Sequence, residues 1–392
     1  MPGPAIATLK RDLARSIAAG HPWLYQDSVL LPATVEPGAV VLVQDRRGRP
    51  LALGIADPAS PIAVRIWTNH RGARIDDALI ESRVATAAAL RRAVLPSDTD
   101  AFRLLHGEGD RTPGVVCDVY GDTAVLRPDT PAVERLLPAI ARAIARELPA
   151  VNRVVRRDPA RGSEGERVTT LLGAPLDQPL LVREHGLRFE ADPTRGHKTG
   201  LYLDQRENRA RVRALAAGRS VINLFSYTGG FSIAAAAGGA TSVTTVDTGE
   251  PVIEAAKRNF ALNGLDPADP RWRFAAADAF AFLEEDRTTY DLVIVDPPSM
   301  APSAAALDRA LSAYRRVNEL ALRHLAPRGL LLTASCSSHV SEQHLCEVLR
   351  DAARAAARSV RILEHRGAGP DHPVLPAFPE GRYLSVLLAF AE

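Results

Sequence analysis

The sequence predicts an α/β protein in which a doubly wound parallel sheet follows a small β-rich domain and a small α+β domain. Strand and helix patterns alternate from residue 220 to the C-terminus, as in sheets that carry helices on both faces. Short strand patterns fill the first 72 residues, and hairpin and helix patterns fill the next stretch. The chain has 392 residues, too many for one ordinary core, so we expect three domains at 1–72, 73–190 and 191–392.

The β-rich character of the first domain follows from its turn residues. Segment 39–57, AVVLVQDRRGRPLALGIAD, predicts two strands joined by a polar turn that contains Gly48. Segment 61–67, PIAVRIW, predicts a third strand. Together they indicate a small β-barrel or sheet.

The second domain combines helices and strands. Segment 74–95 has apolar residues at helical spacing, with Asp76 and Asp77 near its start, which predicts a helix. Segment 114–128 predicts a hairpin that turns at Tyr120, Gly121 and Asp122. The remaining elements are a helix over 131–149, with Pro131 near its start, and strands over 151–158 and 167–173.

The third domain consists of alternating strands and helices, closed by two consecutive strands. The predicted strands are SVINLF, TSVTTVD, RWRFAAAD, YDLVIVDPP, GLLLTASC, SVRILEH and GRYLSVLLAF. The predicted helices lie in the segments GGFSIAAAAGG, PVIEAAKRNFALNG, AFAFLEED, ALDRALSAYRRVNELALRHL and SEQHLCEVLRDAARAAA. This order predicts a Rossmann-like sheet with helices on both faces.

Composition limits the class of protein. The chain is 46% hydrophobic and 24% charged, which is typical of globular proteins. No apolar run approaches the roughly 20 residues of a membrane span, and the N-terminus lacks the apolar core of a signal peptide. We therefore expect a cytoplasmic protein without a membrane partner. The three cysteines form no CxxC pair, so neither a metal site nor a disulfide framework is expected.

Positive charge is uneven although the net charge is only +2. Arginines cluster at positions 46, 47 and 49 and again at 153, 156, 157, 161 and 167. Such clusters suit phosphate backbones. Solvated loops in an arginine-rich proteome are the alternative explanation, and charge alone favours it.

Polar residues that follow successive strands predict a cofactor site, because ligands of such sheets bind beyond the carboxyl ends of the strands. Gly229 opens a helix after the first strand, and Asp247 follows the second strand 18 residues later, a spacing typical of ribose recognition. Neither GxGxxG nor GxxxxGK[ST] occurs, so an adenosine without phosphates, as in S-adenosylmethionine, is favoured. The predicted cofactor residues of the sheet are Asn223, Phe225, Tyr227, Gly229, Asp247, Asp278, Asp296 and Pro297.

A lone aspartate at such a position is more often a helix N-cap or a turn residue than a ligand. Three acids at three successive strand ends favour the ligand instead, with Asp278 placed to accept from an adenine amino group.

Several long motifs resemble one family across nearly the whole chain. HKTGLYLDQRENR, NLFSYTGGFS, VDTGEP, DPPSM, SCSS and DHPVLPAFPEGRYL are similar to the RlmI-type large-subunit ribosomal RNA cytosine-5 methyltransferases. HPWLYQDSV and ALGIADPASPIAVRIW resemble the N-terminal PUA domain of that family, an RNA-binding module. The resemblance implies a class I methyltransferase domain, S-adenosylmethionine as cofactor, and RNA, specifically 23S ribosomal RNA, as partner. We also allow for a homodimer.

Cys336 ends the strand GLLLTASC, among Ser335, Ser337 and Ser338. An isolated cysteine of this kind usually packs in a core. Its strand-end position beside Asp296 and the family resemblance favour instead a nucleophile that adds to C6 of cytosine, assisted by the acid. Ser299 stands where other RNA cytosine-5 enzymes have a second cysteine, and where this family commonly has lysine, so a single-cysteine mechanism is implied. We expect Cys117 and Cys346 to pack in cores.

The segment KTGLYLDQRENR precedes the first strand of the sheet. The resemblance implies that Lys198, Asp204, Gln205 and Arg206 border the cofactor and the target base. Alternatively, Asp204 caps a surface helix.

Two other functions stay open at this point. A methyltransferase for another base position, such as guanine N7, needs no cysteine because a ring nitrogen attacks directly. A non-catalytic RNA-binding assembly factor that keeps the fold is the third hypothesis.

Overall fold

The structure is a computed structural model, and it describes residues 3–70, 72–158, 167–301, 303–337 and 339–392. Arg161 and Ser338, singled out above, lie outside these residues. The chain forms two compact units. The first comprises Met1–Val182, Ala191–Leu203 and Pro370–Gly381, and the second comprises Arg183–Glu190, Asp204–Gly369 and Arg382–Glu392.

The first unit contains eleven of the strands and three helices within the described residues. Its strands are β1 (Ala5–Leu9), β2 (Trp23–Tyr25), β3 (Val29–Leu30), β4 (Val40–Gln44), β5 (Pro50–Ala56), β6 (Ile62–Thr68), β7 (Ala101–His106), β8 (Val115–Tyr120), β9 (Thr123–Pro128), β10 (Arg153–Asp158) and β11 (Arg167–Leu172). Its helices are α1 (Ala14–Ala19), α2 (Asp77–Val94) and α3 (Leu137–Glu147). A separate two-stranded sheet is formed by β12 (Leu180–Glu184) and β13 (Leu187–Ala191).

Two sheets organise the first unit, with strand orders β2-β6-β5-β4-β1-β3 and β11-β10-β9-β8-β7. The hairpins predicted at Gly48 and at Tyr120–Asp122 are confirmed as β4/β5 and β8/β9. Ile55 and Trp67 of the first sheet are buried in the same apolar cluster as the second sheet and its helices. The two sheets therefore share a core. The domain boundaries at residues 72 and 190 stay a prediction.

The helix predicted over 131–149 is shorter than expected. Residues Pro131–Leu136 form a 3-10 helix, and the α-helix begins only at Leu137. Pro138 explains the break, since proline lacks the N–H that a continuous α-helix would donate to the carbonyl oxygen of Glu134, whereas the first turn of a new helix tolerates it.

The second unit contains the predicted doubly wound sheet. Its strands are β14 (Ser220–Leu224), β15 (Ser242–Asp247), β16 (Trp272–Ala276), β17 (Tyr290–Val295), β18 (Leu325–Ser335), β19 (Val360–Arg366) and β20 (Ser385–Ala391). Its helices are α4 (Arg206–Leu215), α5 (Gly230–Ala237), α6 (Glu250–Leu262), α7 (Ala279–Glu285), α8 (Leu307–Arg323) and α9 (Glu342–Ala355).

Strand order in this sheet is β16-β15-β14-β17-β18-β20-β19. Strands β14 to β18 are parallel, and β20 runs antiparallel between β18 and β19. The chain order reverses between β14 and β17, and such a reversal is where sheets of this class bind ligands. This fold class agrees with the sequence prediction. Among the described residues, no helix is long and apolar enough to cross a membrane.

Candidate active site

The carboxyl ends of the five parallel strands meet at one edge of the sheet. Leu224 at the end of β14 pairs with Val246 of β15 and with Val295 of β17, so the residues that follow these strands begin side by side. Val295 pairs in turn with Thr333 of β18. The predicted neighbours Asp296 and Cys336 therefore follow adjacent parallel strands, as expected from the sequence.

The loop after β14 has an unusual backbone. Phe225 (φ 57°), Tyr227 (φ 47°) and Gly229 (φ 81°) all adopt left-handed geometry. Two non-glycine residues in this region within three positions are uncommon, and such outliers concentrate at functional sites. Tyr227 is half-buried, and the Phe225 ring packs edge-on against Phe280 with ring centroids 6.4 Å apart.

Gly229 is required for helix packing as well as for its positive φ. A Cβ at this position would lie 2.9 Å from the Cβ of Ala256 on α6. The sequence predicts room for a ligand beside this glycine, whereas in the structure the neighbouring helix α6 lies on that side. Asn223, which lies on β14, is fully buried. Its Nδ2 donates a hydrogen bond to Ser232 Oγ on α5 at 3.0 Å.

Asp247 is held by the loop after β14. Its Oδ2 accepts from the backbone N–H of Tyr227 at 2.8 Å, and its Oδ1 accepts from that of Gly249 at 3.3 Å. Each carboxylate oxygen can accept a second hydrogen bond, and the side chain is half-exposed. It does not cap α6, because the N-cap of that helix is Gly249. The pair of ribose hydroxyls in the predicted cofactor fits this geometry.

Asp278 is the N-cap of α7. Its Oδ1 accepts from the backbone N–H groups of Phe280 and Ala281, each at 3.0 Å. The local interpretation weighed above therefore holds for this residue. The side chain is exposed, so its second oxygen leaves room for the predicted adenine contact, which stays a prediction.

Asp296 lies at the end of a chain of side-chain hydrogen bonds. It accepts from Gln205 Nε2 at 2.9 Å; Gln205 Oε1 accepts from Asn208 Nδ2 at 2.7 Å; Asn208 Oδ1 accepts from Arg366 Nε at 2.8 Å. A guanidinium can only donate, so Arg366 fixes the orientation of the Asn208 amide, and Asn208 fixes that of Gln205. The chain thereby turns a donor toward the Asp296 carboxylate. Gln205 is 2% exposed and Asn208 is 0% exposed.

Cys336 is partly exposed, and its Sγ lies 4.0 Å from the carbonyl oxygen of Pro297, which follows Asp296. Hydrogen bonds to Ser337 join the loop after β17 to the loop after β18. Ser337 Oγ is hydrogen-bonded to Ser299 Oγ at 2.7 Å and accepts from Ala301 N at 3.1 Å. Ser299 thus contributes a hydrogen bond between the two strand-end loops.

Tyr314 of α8 lies beneath these groups and was not singled out from the sequence. It is fully buried, and its hydroxyl accepts from Ser335 Oγ at 3.1 Å. Burial, together with the nearby negative charges of Cys336 and Asp296, raises the pKa of Tyr314 to about 12. Its place in the apolar pattern of α8 is typical of a core residue, so no sequence signal distinguished it.

The segment before α4 divides between the two units. Helix α4 has Gln205 at its N-cap without a side-chain cap, so the alternative that Asp204 caps it is wrong. Asp204 instead accepts from Tyr383 Oη at 2.7 Å, and Arg206 is fully buried with Nε 3.0 Å from Glu207. Lys198 belongs to the first unit, where its Nζ lies 4.6 Å from the centre of the Tyr202 ring. Cofactor contacts of these residues stay predictions.

The other cysteines pack as expected. Cys117 is fully buried in the core of the first unit, and Cys346 packs against the core of the second. Within the described part of the chain, no three His, Cys, Asp or Glu side chains group together to hold a metal ion.

Comparison with family models identifies two regions. Residues 131–382 match the model of S-adenosylmethionine-dependent methyltransferases, and residues 7–69 match a PUA-like domain. The first match covers more than half of the chain.

Curated relatives match over nearly the full length. A Ribosomal RNA large subunit methyltransferase of Deinococcus radiodurans is 38% identical, with 99% of both chains covered. A Ribosomal RNA large subunit methyltransferase I of Alteromonas mediterranea is 37% identical, with 95% of this chain and 96% of the relative covered. The corresponding protein of Klebsiella pneumoniae is 35% identical, with 96% of both chains covered.

Among solved structures, a candidate SAM-dependent methyltransferase from Streptococcus mutans superposes with a TM-score of 0.85 at 22% identity, covering 98% of this chain and 100% of that one. A methyltransferase structure solved as a complex with SAH gives the same TM-score and identity over 98% of this chain and 99% of that one. At this identity the likeness concerns the fold.

Proposed function

Because the chain belongs to the S-adenosylmethionine-dependent methyltransferases, in the family of the large-subunit ribosomal RNA methyltransferases I, we propose that it forms 5-methylcytosine in 23S ribosomal RNA. S-adenosylmethionine supplies the methyl group when bound. Residues at the ends of β14 to β16 are proposed to hold it, with Asp247 on the ribose. Ribosomal RNA as substrate implies the cytoplasm as the site of action. The homodimer stays a prediction.

The observation that carries the proposal is a cysteine at a parallel strand end, next to the strand that leads to Asp296. C5 of cytosine is a poor nucleophile. Addition of the Cys336 thiolate to C6 gives C5 the electron density that it needs to accept the methyl group. The thiolate leaves after a base has removed the proton from C5.

Asp296 is proposed to bind the N3 edge of the cytosine and favour the addition. One property of its surroundings supports this role. The Gln205–Asn208–Arg366 chain fixes the orientation of the carboxylate through the 2.9 Å hydrogen bond from Gln205 Nε2.

Covalent trapping tests the proposal. RNA that carries 5-fluorocytosine at the target position should become linked to the wild-type protein, because fluorine at C5 blocks the final proton removal. We expect a stable protein–RNA band on a denaturing gel with wild type and none with Cys336→Ala. Cys346→Ala is the matched control, since it removes a thiol from the same unit without touching the strand-end site.

The alternatives give other results. An adduct that survives Cys336→Ala, or full methyl transfer by that variant, would contradict the cysteine mechanism and favour a ring-nitrogen target such as guanine N7. A protein that binds S-adenosylmethionine in calorimetry but transfers no methyl group to ribosomal RNA would be a non-catalytic factor.

A further inference from the structure

Tyr314 lies at the strand-end site, and the proposed chemistry gives it no role. Helix α8 places its ring in a small apolar cluster that is separate from the main core of the second unit, together with Ala301, Ala310, Val340 and Val348. Ala301 belongs to the segment that follows β17, and Val340 to the segment that follows β18. The ring is therefore enclosed beneath the two loops that carry the proposed catalytic groups.

A directed chain of hydrogen bonds connects Tyr314 to the residues on both sides of Cys336. The backbone N–H of Ser337 donates to Ser335 Oγ at 3.4 Å. Ser335 Oγ donates in turn to Tyr314 Oη at 3.1 Å. Because the contact between the two hydroxyls uses the hydrogen of Ser335, the hydrogen of Tyr314 is directed elsewhere.

The hydroxyl hydrogen of Tyr314 has no acceptor among the described residues, although the side chain is fully buried. The other two buried tyrosines differ in this respect. Tyr120 Oη lies 2.9 Å from Thr199 Oγ1. Tyr290 Oη donates to Asp286 Oδ2 at 2.8 Å. Buried donors without an acceptor are rare in native proteins, so the Tyr314 hydroxyl calls for a physical explanation.

The two acidic groups of the site act on this hydroxyl. Burial raises the pKa of Tyr314 to about 12, and the negative charges of Cys336 at the end of β18 and Asp296 after β17 add to the rise. Tyr314 is thus a neutral donor at neutral pH. A carboxylate opposes the formation of a nearby thiolate because like charges repel, whereas a neutral donor favours the charged form.

We propose that Tyr314 is a positioning residue for Cys336, and that its hydroxyl, oriented by Ser335, favours the thiolate form of the sulfur. The inference rests on the proposed function for the role of Cys336 as nucleophile. The thiol releases its proton to solvent, the sulfur then adds to C6 of cytosine, and Tyr314 keeps its own proton throughout. An apolar enclosure strengthens such support, since a low local dielectric strengthens hydrogen bonds.

The test measures thiolate formation at Cys336 without RNA or cofactor. All proteins carry Cys346→Ala, which leaves Cys336 as the only partly exposed thiol, because Cys117 is buried. The rate of alkylation by iodoacetamide is followed over a range of pH by mass spectrometry. Since the thiolate is the reactive form, the midpoint of this profile reports the ionisation of Cys336.

Two tyrosine variants that each lose one buried hydroxyl are compared. We expect Tyr314→Phe to move the midpoint to higher pH by about one unit, which is an about tenfold smaller thiolate fraction at neutral pH. Tyr290→Phe is the matched control, because Tyr290 begins β17, at the end of the strand opposite to Asp296, and should leave the midpoint in place. An unchanged midpoint in Tyr314→Phe, or an equal shift in both variants, would overturn the proposal.

Ser335→Ala tests the orientation of the hydroxyl and stands in for Tyr314→Phe if that variant does not fold. It removes the donor to Tyr314 Oη, so the midpoint should move in the same direction. The double variant should show no larger shift than Tyr314→Phe alone, since both changes remove the same oriented hydroxyl. Additive shifts would contradict the action of Ser335 through Tyr314.

Methyl transfer separates this proposal from the proposed function. Single-turnover transfer by Tyr314→Phe should be slow at neutral pH and approach the wild-type rate at higher pH, whereas a merely structural defect would slow it at every pH. Normal trapping of 5-fluorocytosine RNA, together with an unchanged alkylation midpoint in Tyr314→Phe, would overturn only the role of Tyr314. The expected midpoint shift in a protein that traps no RNA would overturn only the proposed function.

Discussion

The two halves of the strand-end edge hold their functional side chains in different ways. At β14 to β16, Asp278 and Asp247 bind backbone N–H groups at most 20 residues away in the sequence. At β17 and β18, Asp296 is held by the side chain of Gln205, 91 residues away. Backbone groups of rigid turns offer a fixed surface for a cofactor. Side chains from distant segments can set the orientation and protonation of a reacting group, which suits chemistry on a base.

The largest expected effect concerns the half at β17 and β18. Asp296→Asn should lower the rate of methyl transfer by about 10²–10⁴-fold, the usual contribution of a positioned acid or base. Single-turnover transfer of labelled methyl groups to RNA measures this. Asp291→Asn is the matched control, since Asp291 lies on the same strand and binds Ser220. Comparable losses in the two variants would remove the distinction between the halves.

A substitution in the half at β14 to β16 should lower the affinity for S-adenosylmethionine. Asp247→Ala should weaken S-adenosylmethionine binding by about 1–3 kcal/mol, as expected for lost hydrogen bonds to a charged group. Calorimetry measures the dissociation constant, and thermal unfolding reports whether the loop after β14 has loosened. Unchanged affinity would exclude Asp247 from the cofactor site.

The hydrogen-bond chain behind Asp296 predicts a smaller, pH-dependent effect. Asn208→Asp replaces a donor by an oxygen, so Gln205 must turn its carbonyl toward Asp296, which favours the protonated acid. The limb of the pH–rate profile that titrates Asp296 should move to higher pH by about one unit, which corresponds to about 1.4 kcal/mol. Arg366→Lys retains a donor-only group and should leave the profile in place. A shift in both variants, or in neither, would contradict the orientation argument.

The smallest expected effect separates capping from cofactor binding at Asp278. Asp278→Ala should lower the stability of the protein by about 1 kcal/mol because α7 loses its N-cap, whereas Asp278→Ser keeps a capping oxygen and should lower it less. Denaturant unfolding measures this difference. If both variants bind S-adenosylmethionine like wild type, Asp278 is only a helix cap and does not belong to the cofactor site.

Local chemistry explains why much of the fold was predictable. The alternation of strands and helices, the turn at Gly48 and the position of Asp247 at the end of β15 depend on neighbouring residues. The N-cap alternative for Asp278 was also visible from sequence, since a cap needs only the next three residues. The same reasoning was wrong for Asp204, because tertiary contacts with Tyr383 compete with capping.

The doubly wound sheet, the acids at its strand ends and the cysteine after β18 can all be predicted from the sequence, because periodicity and turn chemistry act over a few residues. The groups that hold these side chains become defined only when the chain has folded. Arg366 reaches Asn208 across 158 residues, and Tyr314 reaches Ser335 from a helix whose pattern is that of an ordinary core. Hydrogen bonds are short and directional, so partners distant in sequence are defined only after the sheet has formed and its helices have packed.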